Sequence, residues 1–163
     1  MKYTFLDSQL GRILIAADTA GLRLISFQNG KNARSPEPDW VEDPEALADV
    51  ADQLEAYLAG ERETFDLELA PSGTPFQLEV WRGLARIPYG TTISYAELAR
   101  RIGKPKAIRA VGAANGANPL PIVLPCHRVV GADGSLTGYG GGLEIKEALL
   151  QLEGALLDLA AGS

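Results

Sequence analysis

The chain has 163 residues, 46% of them apolar, and a formal net charge of −6. That length allows one compact unit or two small ones with a real core, and no apolar run is long enough to cross a bilayer. One cysteine and one histidine exclude an internal disulfide and a Cys/His zinc site; they suit a reducing, cytoplasmic setting, and Asp7 breaks the apolar stretch that a secretory leader would need.

The first quarter reads as β structure. Segments near 2–6, 11–17 and 21–27 are rich in Leu, Ile, Phe and Tyr and are separated by Gly11, Asp18 and Gly21, the pattern of an antiparallel meander. Residues 29–43 are polar and proline-rich and read as a loop. Asp43 is placed to cap a helix with Pro44 at its first position. Leu47, Val50, Leu54, Tyr57 and Leu58 form its apolar stripe, and Gly60 ends it. Phe65 to Leu69 alternates as one further strand. Ala70-Pro71-Ser72-Gly73 is the best linker, which divides the chain into units 1–72 and 73–163.

Charge changes sign at the same place. Residues 1–73 carry 6 basic and 14 acidic side chains, residues 74–130 carry 8 and 2, and residues 131–163 carry 1 and 5. A basic middle between acidic ends is the asymmetry expected of a local polyanion site. Taken alone, it equally fits a mixed, solvated surface.

The second unit opens with a capping box, Thr74 and Gln77, around Pro75. Phe76, Val80, Leu84 and Ile87 recur at helical spacing beside Trp81. Pro88-Tyr89-Gly90 turns the chain. Ser94 to Glu97 is a second capping box, opening a short helix through Arg101. Ile102-Gly103-Lys104-Pro105 breaks it, and another helix spans about 106–114. Two short helices joined by a glycine-containing turn predict a helix–turn–helix. Arg100, Arg101, Lys104, Lys106 and Arg109 point it toward phosphates, although such pairs also serve as plain core packing. Residues 120–124 are apolar and predicted to be buried. Pro125-Cys126-His127-Arg128-Val129-Val130 follows, then a glycine-rich stretch over 131–142. A final helix carries Ile145, Leu149, Leu152 and Leu156.

Cys126 is the chain's only cysteine, and His127, next to it, is the only histidine. A lone cysteine after an apolar run commonly packs as a small hydrophobe. A Cys–His pairing can instead generate thiolate, the reactive form, and Arg128 adds positive potential. A turnover cysteine hydrolase takes its base from elsewhere in the chain, and no second histidine is there to supply it.

Pro125-Cys126-His127-Arg128-Val129, preceded by Asn118-Pro119-Leu120-Pro121-Ile122-Val123-Leu124, resembles the active-site signature of the O6-alkylguanine-DNA alkyltransferases. The resemblance runs from about Thr74 to Gly154. It takes in Pro88-Tyr89-Gly90, Ser94-Tyr95, Arg109-Ala110-Val111-Gly112, Tyr139-Gly140-Gly141-Gly142-Leu143, and Lys146-Glu147 through Glu153-Gly154. So many elements in one order are far more specific than a lone motif; residues 1–70 match only in general character.

The resemblance implies an α+β fold: a small ribonuclease-H-like N-terminal domain of antiparallel sheet and helix, then a mostly helical domain holding the helix–turn–helix. It implies that Cys126 accepts the alkyl group irreversibly, once per molecule. His127 would act as base through a water, with Glu153 on the other imidazole nitrogen. Asn118 would link the helix–turn–helix to the active-site turn, and Tyr95 would donate to guanine N3. The Cys126 and Val129 carbonyls would accept from the exocyclic amine. Tyr139 and the Gly140 backbone N–H would border O6, and Gly140 replaces a serine found in many members.

The partner would be double-stranded DNA with a flipped O6-alkylguanine, approached from the minor groove by a monomer without cofactor or metal. Arg109 would fill the gap in the stack. Small residues such as Ala110 would let the helix enter the groove, and Arg100 and Arg128 would add positive charge. Singly, each role has a plainer reading: Glu153 as a surface helix residue, Tyr95 as a core tyrosine, Arg109 as a phosphate contact, Asn118 as turn chemistry before proline. The alternative functions are a non-catalytic alkyltransferase-like protein that flags lesions, whose kind lacks the acceptor cysteine, and a sequence-reading transcription regulator.

Overall fold

The computed structural model describes residues 1–136 and 142–155. Strands β1 (Lys2–Ser8), β2 (Gly11–Asp18) and β3 (Gly21–Phe27) form the meander. Its two hairpin turns bring Ser8 opposite Gly11 and Asp18 opposite Gly21. Gly21 is required by a close approach: a Cβ there would lie 2.6 Å from the Glu68 carbonyl oxygen. A fourth strand, β4 (Val41–Glu42), pairs parallel with β1, so the sheet order is β3-β2-β1-β4. This strand lies in the stretch read as loop, and two residues are too few to leave a periodic signal.

Residues 65–69 form no sheet strand, contrary to the alternation. Leu69 makes only an isolated bridge to Leu22. The edge of β3 is taken further along by the second half of the chain, where the Ile25 N–H donates to the Pro119 carbonyl at 2.9 Å. Helix α1 runs Ala48–Leu58, starting later than Asp43 and Pro44 suggest. Asp43 Oδ1 accepts from the Ala46 N–H at 3.1 Å, but the next bonds, Leu47 to Pro44 and Ala48 to Glu45, close three-residue turns. The cap therefore acts on a tight lead-in. Gly60, at φ +76°, ends α1 with the Glu61 N–H on the Ala56 carbonyl, a left-handed glycine stop.

Helix α2 (Pro75–Ala85) begins with the complete Thr74–Gln77 capping box. Strand β5 (Ile93–Ser94) leads into α3 (Tyr95–Arg101), and α4 (Ile108–Gly116) follows after a turn at Gly103, φ +78°. Ser94 caps α3 by accepting from the Glu97 N–H at 3.0 Å. Its box is half made, because the Glu97 carboxylate faces Arg100 and Arg101 instead. A single 3-10 turn, Cys126–Arg128, runs into β6 (Val129–Val130), which pairs parallel with β5. Helix α5 (Leu143–Leu152) closes the described chain; the expected stripe residue Leu156 lies outside the described residues.

One apolar cluster runs through both halves. Ile13, Ile15 and Ile25 of the sheet meet Leu54 and Tyr57 of α1, and the cluster continues through Val80, Leu84, Leu98, Val111 and Leu149. The other sheet face carries a smaller cluster of Leu14, Ala16 and Leu24 under Trp40. No helix among the described residues is long and apolar enough to cross a membrane.

Candidate active site

The path into the 3-10 turn is constrained. Leu120, Ile122 and Leu124 are buried, and the backbone turns between them, with the Leu124 N–H donating to the Leu120 carbonyl at 2.9 Å. Ile122 sits at φ +77°, a region that costs a β-branched residue about 1–3 kcal/mol. Two asparagines hold the segment, Asn115 on α4 and Asn118 just past its end. Asn118 Nδ2 donates to the Leu124 carbonyl at 2.7 Å, and its Oδ1 accepts from the Leu120 N–H at 3.0 Å. Asn115 Nδ2 donates to the Cys126 carbonyl at 3.4 Å. The tie to the cysteine itself thus comes from Asn115, which sequence reasoning missed. Its signal was a polar residue four positions after buried Val111 on the inward side of α4.

Cys126 is 4% exposed and His127 fully buried. His127 Nε2 lies 2.7 Å from Glu153 Oε2. A carboxylate only accepts, so Nε2 carries the hydrogen and Nδ1 keeps its lone pair. Nδ1 is buried with no partner among the described residues. Burial lowers the imidazole pKa and the Glu153 contact opposes this, so His127 rests neutral with an open acceptor.

Glu153, at the C-cap of α5, is not on the surface but buried. Its Oε1 accepts from Arg128 Nε at 2.8 Å and from the Gly90 N–H at 3.2 Å. Its Oε2 accepts from His127, from Arg128 Nη2 at 2.8 Å, and from the Tyr57 hydroxyl at 2.5 Å. Burial alone would raise its pKa; the bonds from His127, Arg128 and Tyr57 overcome this and hold it well below the usual carboxylate range.

Arg128 is corrected by this network. Expected to add charge for the substrate or DNA, it is 6% exposed, forked onto Glu153, and bonded through Nη1 to the Ile87 carbonyl at 2.6 Å. A buried guanidinium needs those acceptors, so none of it is left for phosphate.

Lys146 of α5 is a second residue that sequence reasoning passed over, although a lysine with Leu149 and Leu150 three and four positions on stands on a buried stripe. It is fully buried, and Nζ donates to the Val129 carbonyl at 2.7 Å and lies 5.9 Å from the Tyr95 ring centre. Burial pushes its pKa down to about 8, and negative charge on Cys126 pulls it back up. Lysine and thiolate therefore favour each other.

Tyr95 opens α3, and its ring lies near Gly112 of α4, where a Cβ would sit 3.8 Å from it. Arg109 and Ala110 are exposed on α4, away from the buried network. Arg100 is exposed but paired with Glu97. Tyr139 and Gly140 lie outside the described residues. A cavity of about 200 Å³ reaches Cys126 and is also lined by Asn115, Asn118, Pro121, Ile25, Phe27 and Arg34.

The chain matches two family models: the 6-O-methylguanine DNA methyltransferase ribonuclease-like domain over residues 1–71, and the DNA binding domain of the same family over residues 75–155. It is 52% identical over 155 residues to the methylated-DNA–protein-cysteine methyltransferase of Methanosarcina acetivorans, covering 95% of this chain and 99% of that one. Among solved structures, it is similar to Mycobacterium tuberculosis OGT in complex with DNA, with a TM-score of 0.88, 46% identity and full coverage of both chains. The Mycobacterium tuberculosis O6-methylguanine methyltransferase gives a TM-score of 0.86 at 47% identity, covering 99% of each.

Proposed function

The chain belongs to the 6-O-methylguanine DNA methyltransferase family, and from that membership and the geometry above we propose how it works. It repairs DNA by transferring an alkyl group from O6 of guanine to a protein cysteine, and the acceptor is Cys126. One observation carries this assignment. The only cysteine adjoins the only histidine, whose Nε2 is fixed on Glu153 and whose Nδ1 stays open.

The unit 73–163 grips double-stranded DNA with α3 and α4 as a helix–turn–helix entering the minor groove. The alkylated nucleotide flips out, at a cost of about a few kcal/mol, and Arg109 fills its place. His127 Nδ1 takes the thiol proton through a water. The imidazolium is stabilised by Glu153 and the thiolate by Lys146. The thiolate attacks the alkyl carbon in line as the carbon–O6 bond breaks, and the bonding pair stays on the base. Tyr95 passes a proton to guanine N3, which makes the base the better leaving group. The product is a thioether, and no second thiol is present to remove it, so each molecule reacts once. The Cys126 and Val129 carbonyls, already oriented by Asn115 and Lys146, receive the exocyclic amine. The protein acts as a monomer, in a compartment that keeps the thiol reduced.

Intact mass spectrometry after incubation with an O6-methylguanine duplex tests this. One added methylene on the intact protein is expected, and none in Cys126→Ala, which should still bind the duplex. Methyl transfer by the alanine protein would overturn the assignment.

A further inference from the structure

Tyr57 is the residue that the mechanism above does not use. It lies on α1, in the half of the chain that otherwise contributes no side chain to the catalytic network, 96 residues from the carboxylate that it bonds. Its side chain is fully buried. Its ring packs on Phe65 at 5.5 Å and edge-on to Tyr89 at 6.2 Å. A phenol so enclosed needs a partner for its hydroxyl, and it shares Glu153 Oε2 with His127 and Arg128.

We propose that Tyr57 is a positioning residue of the active site, through which α1 sets the orientation of Glu153 and the strength with which Glu153 draws on His127. The geometry gives both effects. Glu153 ends α5, where its carboxylate could rotate. Arg128 fixes both oxygens from one side, and Tyr57 closes the remaining direction at Oε2, so that this oxygen stays on Nε2. Tyr57 and the His127 N–H also compete for electron density on the same atom. A neutral donor at 2.5 Å weakens the pull of the carboxylate on the imidazole and restrains proton uptake from Cys126. The other charged or titratable groups around the network are Arg128, Lys146, Tyr89, and Glu63 beside Tyr89. A change at Tyr57 alone leaves all of them in place.

The proposal rests on Cys126 as acceptor, but its test reads the thiol directly. Because the chain has one cysteine, the rate of iodoacetamide alkylation against pH reports Cys126 alone. Tyr57→Phe keeps the ring and its packing. Its reactivity midpoint is expected to move down by roughly half a pH unit, while methyl transfer from an O6-methylguanine duplex slows because Glu153 is less firmly held. Phe65→Leu loosens the same packing without touching the carboxylate; it should lower the melting temperature and leave the midpoint where it is. A Tyr57→Phe midpoint equal to the wild type, or moved up, overturns the proposal, as does an equal shift in Phe65→Leu. Failure of the wild-type protein to take methyl from the duplex would instead sink the acceptor assignment.

Discussion

Glu153 shows how much one side chain does here. Its carboxylate takes two donors on Oε1 and three on Oε2, which makes it both the anchor of His127 and the counter-charge of buried Arg128. Glu153→Gln keeps the size and removes the charge, leaving a guanidinium buried without its partner. Breaking such a pair typically costs about 3–5 kcal/mol. The pH dependence has a definite sign. Glu153 has a folded pKa below its ordinary 4.5, so its stabilisation is complete above that value and is lost as pH falls below it. The wild-type melting temperature should fall progressively as pH drops below 4.5, and the Glu153→Gln protein should start lower and fall less. Parallel curves for the two proteins would show that another group governs acid sensitivity.

At the level of elements, the α3–α4 pair divides its work. Glu97 engages Arg100 and Arg101, and Lys104 pairs with Glu79 at 3.5 Å. Arg109 stands exposed on α4 with no ion pair among the described residues. Of the cations on α3, α4 and the turn between them, it and Lys106 are the two left without an ion pair among the described residues. If Arg109 fills the space of a flipped nucleotide, Arg109→Ala should slow methyl transfer from duplex DNA far more than reaction with free O6-benzylguanine, which needs no flipping. Equal losses on both substrates would make Arg109 an ordinary contact. Asn115 near the end of α4 and Asn118 just past it hold the turn that carries Cys126.

For the whole molecule, the net charge of −6 opposes DNA, and binding must come from a local surface. Of the cations in the basic middle, Arg128 is buried, and Arg100, Arg101 and Lys104 face carboxylates. Arg82, Arg86, Lys106 and Arg109 remain exposed. Four neutralised phosphates would give log affinity against log salt a slope of roughly −4; an affinity indifferent to salt would rule out this surface. The core bears on what happens after reaction. Cys126 belongs to the cluster that joins both halves and is almost wholly enclosed. Added carbon must be accommodated there, and overpacking typically costs about 1–3 kcal/mol from a total stability of about 5–15 kcal/mol. The methylated protein should therefore melt below the unmodified one and the benzylated protein lower still, with easier proteolysis near residues 115–130. Identical melting of all three forms would show that the site takes the product without strain.

Some of this protein is determined locally and can be read from its sequence. The meander follows from alternation and turn residues, α2 from the Thr74–Gln77 box, and the stop of α1 from Gly60, because each rests on contacts between near neighbours. The adjacent Cys126 and His127, together with the ordered motifs around them, identify the family for the same reason. Other features depend on residues far apart in the chain, and only the tertiary structure decides them. Strand β4 exists because β1 offers an edge, and the segment after residue 65 reaches β3 only at Leu22, which bonds Glu68 and Ala70, while Pro119 takes the same edge at Ile25. Arg128 reads as a surface cation until Glu153 arrives from 25 residues away to bury it. Lys146 and Asn115 read as helix residues until β6 and the 3-10 turn present carbonyls to them. Tyr57 reads as core, and nothing near it in the chain marks its bond to Glu153, because long-range burial, not local pattern, selects the partner of a polar group.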